Sequence, residues 1–239
     1  MVKSVMGAVS LWPESDNALD GCFGIIPLVA NLMPTSAPDR ENSIVYPTSD
    51  HRGLDGDINR LLMMDLIETL TQFFQGQKVY VSGNLLVFYE QGNNSRFVSP
   101  DVFVAKGVEM RMRNHYLLWK EEVPPSVVME ITSRTTRAED TKKKFRIYRD
   151  EIEVAEYFMF DPVGDYLKPR LQGYRLVGSD YVPIDPMNGA LFSEQLGLWF
   201  YVRELQLRLH DPQAGRDLPM NSRQLEEPGA YLRQKRQDT

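Results

Sequence analysis

Residues 126–148 read SVVMEITSRTTRAEDTKKKFRIY, and the way this stretch folds decides the rest of the chain. Its first part, Val127-Val128-Met129-Glu130-Ile131, has the length and β-branched content of a strand buried on both faces. Glu130 interrupts that apolar run. A carboxylate buried alone is costly, and its pKa climbs. Such a residue is kept where a cation binds it or a neighbour pairs with it. Side chains alternate across a sheet, so Val128, Glu130 and Thr132 share one face. From about Arg137 to Arg149 the pattern predicts a helix, with Thr141, Lys144, Phe145 and Tyr148 along one side. Phe145 and Tyr148 turn that side to the sheet, and Lys144 turns with them; Lys142 and Lys143 face solvent. A strand glutamate beside an inward lysine is either a shared site or a buried ion pair. These residues alone leave both open.

Upstream, VSPDVFVAK places Asp101 directly after Pro100. Proline lacks a backbone donor and favours a strand start or edge, where a carboxylate can be presented. The plainer alternative is a turn aspartate beside a proline. Hydrolysis of a phosphodiester needs charge neutralised on the phosphate and a water made nucleophilic, and carboxylate-held magnesium does both. Asp101 and Glu130 as metal ligands, with Lys144 adding positive charge, form a minimum catalytic set of this kind. Manganese would serve in the same way.

Around these residues the periodicities predict an α/β domain. A helix runs from Asp57 to Phe74, with Ile58, Leu61, Leu62, Leu66, Leu70 and Phe73 on one face, Asp57 as its cap and Gly76 as its stop. Strands follow at Val79–Val81, Leu85–Tyr89 and Val102–Val104, with a turn at residues 91–95. Met110 to Val123 is a mixed connection, and AEYFMFDP is a further strand. Beyond Lys168 come short β pieces, LQGYRL, DYVPI, LGLWFYV and LQLRLHD. The expected organisation is an irregular arm over residues 1–56, the domain over 57–211, and a polar tail over 212–239.

Composition bounds the function. The 239 residues are 42% hydrophobic, enough for a substantial core, and carry a net charge of −6. Nucleic acid would therefore have to meet a local basic patch. Arg134 and Arg137 are the candidate phosphate contacts, in a run with Lys142, Lys143, Arg146 and Arg149 that also reads as a solvated helix face. Tyr116 and Trp119 could stack on bases, with core packing the plainer use. The single Cys22 excludes a disulfide framework, and His51, His115 and His210 are too scattered for a histidine metal site. No stretch is long and apolar enough to span a membrane, and residues 21–33 make a poor signal peptide, so the cytoplasm is expected.

The order PDVFV, then VVMEITSRTTRAEDTKKKFRIY, then VAEYFMFDP resembles the Uma-two family of restriction-endonuclease-type proteins, within the PD-(D/E)XK nuclease superfamily. The resemblance covers roughly Asp57 to Leu209. It implies a restriction-endonuclease-like core, a mixed β-sheet flanked by helices with extra C-terminal β-strands, and magnesium held by Asp101 and Glu130. The lysine that the superfamily places two residues after the glutamate is Thr132 here, and Lys144 on the following helix takes its place. Asn59 stands where the family's first helix often carries a histidine. Superfamily members also often carry an extra acid on that helix, which makes Asp65 an accessory candidate, with Glu68 behind it. Tyr148 is a second accessory candidate, and Glu156 and Asp161 match a structural EY…DP ending. The expected function is metal-dependent cleavage of DNA, which a homodimer would suit for cutting both strands. The competing readings are a nuclease-fold binding or assembly module that no longer cleaves, and a hydrolase of smaller phosphate esters.

Overall fold

A computed structural model of the chain describes residues 56–133 and 136–220. Residues 1–55 of the expected arm, residues 221–239 of the expected tail and Arg134 lie outside the described residues, and so does the side chain of Asp57, expected as a cap.

Helix α1 (Gly56–Phe73) forms where the 3.6-residue stripe predicts it. Ile58, Leu62, Leu66 and Leu70 are buried, and Gly76, at φ +80°, makes the turn that ends the segment. The central sheet has six strands in the order β1 (Val79–Ser82), β4 (Val102–Lys106), β6 (Val127–Ile131), β7 (Glu156–Phe160), β8 (Leu171–Val177) and β9 (Asp180–Pro183). Only β6 and β7 run parallel; the other pairs are antiparallel. A parallel pair needs a crossover, and the helical segment after Thr136 supplies it.

That segment holds two π-helical stretches, Glu139–Lys144 and Ile147–Glu151, where an ordinary α-helix is expected. In the second, Ile152 N donates to Ile147 O, five residues back, at 3.0 Å. The wider turn lets residues four apart stay on one side of the segment, as at Asp140, Lys144 and Tyr148.

Alternation along the strands sorts two cores. Val127, Met129 and Ile131 of β6 join α1 on one face, together with β10 (Leu191–Ser193), β11 (Leu198–Arg203), β12 (Gln206–Asp211) and β13 (Arg216–Asp217), which form a four-stranded sheet of their own. Val128 faces the other way, with Phe103, Tyr148 and Tyr157. Leu85–Tyr89, expected as a strand, contributes only β2 (Val87–Phe88). It pairs with β3 (Phe97–Val98) and β5 (Tyr116–Leu117) in a separate three-stranded sheet. The Met110–Val123 connection contains β5 and the one-turn helix α2 (Leu118–Glu121). Tyr116 and Trp119 both pack into apolar clusters, the plainer of their two readings.

Residues past Pro212, expected as a loose tail, begin in order. Arg216 and Asp217 pair with β12, Leu218 is buried, and Tyr201 Oη and His210 Nδ1 both bond the Asp217 carboxylate. The sequence is polar there because β13 is short and lies on a wet face.

Candidate functional site

Strand β4 runs antiparallel to β6 with Val102 opposite Met129, so the residue before Val102 meets the residue after Met129. Those residues are Asp101 and Glu130. Ile131 N donates to Asp101 Oδ2 at 2.7 Å, and Asp101 N approaches Glu130 Oε2 at 3.4 Å. The two carboxylates thus converge at strand ends in the middle of the sheet, and not along its edge. Asp101 is where the Pro-Asp pair places it, at a strand start.

Lys144 reaches the same point from the helix. Its Nζ lies 2.9 Å from Glu130 Oε2, 3.1 Å from Ser99 O and 3.4 Å from Asp140 Oδ1. Tyr148 Oη donates to Glu130 Oε1 at 2.6 Å, so the tyrosine is both core and site. Lys142 and Lys143 are exposed, as the helical spacing requires. The buried Glu130–Lys144 ion pair forms, and Asp140 stands as a second acid beside the same lysine.

Asp140 is the residue that sequence reasoning missed. Its side chain is buried, while Glu139 beside it pairs with Lys143 near the surface. A DTKKK run reads as a solvated helix face, and only the four-residue spacing Asp140, Lys144, Tyr148 carried the signal. Thr132 is buried, with its hydroxyl taken by Tyr166. Asp65 is buried on α1 and is not among the residues that meet at Lys144 Nζ. Asn59 Nδ2 donates to Ile131 O at 3.0 Å, tying the start of α1 to β6 one residue past Glu130. Arg137 is exposed, with its guanidinium 5.4 Å from the Tyr166 ring centroid. Glu156 and Asp161 are structural. Glu156 accepts from Arg175 and Ser193, and Asp161 accepts four backbone N–H groups of the loop over residues 163–167.

Charge in the cluster is unbalanced. Burial pushes Glu130 and Asp140 up to about 7 and Asp101 up to about 6, with Lys144 pulling each of them down. Burial works to lower Lys144, but Glu130, Asp140 and Asp101 outweigh it and hold the ammonium above the ordinary lysine range. Two carboxylates, Glu130 and Asp140, lie 2.9 Å and 3.4 Å from the Lys144 ammonium, and the Asp101 charge acts on it from further off. Among the described residues no group of three or more His, Cys, Asp and Glu side chains forms a ready metal cage. Magnesium does not require one, since it commonly binds through one or two carboxylates and keeps several waters. The hard oxygen donors of Asp101 and Glu130, in a site with surplus negative charge, fit such an ion.

Gly83 holds Asp101 in place. A Cβ there would lie 2.0 Å from Asp101 O and 2.6 Å from Ile67 Cδ1. Gly83→Ala must therefore push the Asp101 backbone off β6. The expected loss is about 2 kcal/mol, or roughly 5 °C in thermal midpoint by calorimetry. An unchanged midpoint would mean this contact is slack.

The family is plain once the site is assembled. The chain belongs to the Uma2 family, described as "Putative restriction endonuclease", whose profile matches residues 42–214. Among solved structures, a "putative nuclease belonging to DUF820" from Anabaena variabilis aligns at 11% identity and a TM-score of 0.45, over 61% of this chain and 76% of that one. A search of curated proteins returns no match. No helix among the described residues is long and apolar enough to cross a membrane.

Proposed function

We propose that the protein is a metal-dependent endonuclease that hydrolyses DNA phosphodiester bonds, with Asp101, Glu130 and Lys144 as its catalytic residues. The observation that supports this reading is that the Lys144 ammonium and the Asp101 backbone N–H both donate to Glu130 Oε2, while the Asp101 carboxylate is held next door by Ile131 N. Asp101 and Glu130 would hold magnesium or manganese. Held there, such an ion would supply charge neutralisation and polarisation of the phosphate. The Lys144 ammonium, beside the same carboxylate, stabilises negative charge that grows in the transition state. Tyr148 Oη fixes the orientation of the Glu130 carboxylate, and Ile131 N fixes that of Asp101. The exposed Arg137 would contact a phosphate of the DNA, and a contact of that kind weakens with added salt.

One observation favours the second reading, a module of nuclease fold that binds without cleaving. Both oxygens of Glu130 are already engaged, by Lys144 and Tyr148. Nicking of supercoiled plasmid separates the two. The proposal expects open circles with magnesium or manganese, none with chelator, and none from Asp101→Ala. Intact plasmid from folded wild-type protein with either metal would leave the binding module as the better account.

A further inference from the structure

We infer that Asp140 is a positioning residue that acts through Lys144 and keeps its ammonium at Glu130. The inference rests on the reading of Lys144 as catalytic. Four observations carry it. Asp140 is 2% exposed, its Oδ1 lies 3.4 Å from Lys144 Nζ, and both residues stand on the same π-helical stretch at a spacing of four. Its backbone is pinned as well: Tyr157 Oη, from β7, donates to Asp140 O at 3.1 Å. The same spacing one residue earlier gives the Glu139–Lys143 pair, at 3.9 Å, with the lysine 61% exposed. An exposed pair of that kind contributes little.

Stability alone does not explain Asp140. Glu130 already pairs with Lys144, so a second buried carboxylate beside that pair adds like-charge repulsion and desolvation. What the second acid adds is geometry. A lysine side chain has four flexible bonds, and a single carboxylate fixes only one direction of its ammonium. Glu130, Asp140 and Ser99 O approach Nζ from three elements and define its position. The reacting phosphate would then meet an ammonium already in place, the kind of preorganisation that raises turnover more than binding.

Asp140→Asn tests this, since it keeps the shape and removes the charge, with Asp140→Glu as the conservative variant. Two readouts are needed. The first is acetylation of Lys144 by acetic anhydride, followed by mass spectrometry on the full chain, with Lys142 and Lys143 as internal standards. The second is plasmid nicking with manganese. Lys144 labelling should rise at least about 5-fold in Asp140→Asn while the standards stay level, because an amine released from one partner spends longer free. In nicking, kcat should fall about 100-fold with KM changed less than about 3-fold, and Asp140→Glu should recover part of the loss. Equal Lys144 labelling in wild type and Asp140→Asn overturns the inference whatever the activity. Raised labelling with undiminished kcat overturns it too. A wild type that never nicks sinks the nuclease reading, and labelling still decides whether Asp140 places the lysine.

Discussion

Lys144→Ala should abolish nearly all plasmid nicking, by at least about 100-fold in kcat, while Lys142→Ala and Lys143→Ala stay within about 3-fold of wild type. The reason is direction. Lys144 Nζ sits among Glu130, Asp140 and Ser99 O, whereas its two neighbours are exposed. Removing a buried cation has a structural cost as well, about 3–5 kcal/mol where the partner charge is left uncompensated. Lys144→Met, which keeps much of the volume, separates the two effects. It should fold by circular dichroism at pH 6, where protonation relieves the acids, and still fail to nick at any pH. Equal losses in all three lysine variants would point to a diffuse basic patch. Full activity in Lys144→Met would remove this residue from the chemistry.

The second large effect is on stability, and its sign follows from the raised carboxyl pKa values. Glu130 and Asp140 at about 7 and Asp101 at about 6 bind protons more tightly folded than unfolded. Their contribution to stability is therefore full below the unfolded range near 4, and it is lost as pH rises towards 7. Lys144 is shifted up, so its contribution persists until well above that window. The Asp140→Asn variant isolates the effect: relative to wild type it should gain stability between pH 5 and pH 8, on the order of 5 °C in midpoint. A divalent ion should act on the same surplus charge. At pH 8, millimolar magnesium or manganese should raise the wild-type midpoint by on the order of 5 °C, and Asp101→Ala should respond less. A midpoint that ignores both pH and metal would mean that the acids are compensated by something other than Lys144.

Much of this site is legible in the sequence because each signal is local. Glu130 stands out as one acid in an apolar strand, Asp101 as an acid after a strand-starting proline, and Lys144 by sharing a helix side with Phe145 and Tyr148. Tyr148 reads both as core and as an accessory candidate, and it is core with its hydroxyl on Glu130. What was hidden lacked a clear local pattern. Asp140 is buried at a spacing of four from Lys144 and Tyr148, a signal that the lysine-rich run around it masks. The small sheet of β2, β3 and β5 was also missed, because two-residue strands leave too short an alternation to read.

The central claim is that Asp101 and Glu130 make one divalent-cation site. Calorimetric titration of magnesium and of manganese into wild type and Glu130→Ala, at pH 7.5, tests it most directly. The account predicts one ion per chain in wild type, at micromolar to low millimolar affinity, with protons released as the acids ionise, and no such isotherm in Glu130→Ala. Wild-type heats no larger than those of Glu130→Ala, up to about 10 mM metal, would contradict it.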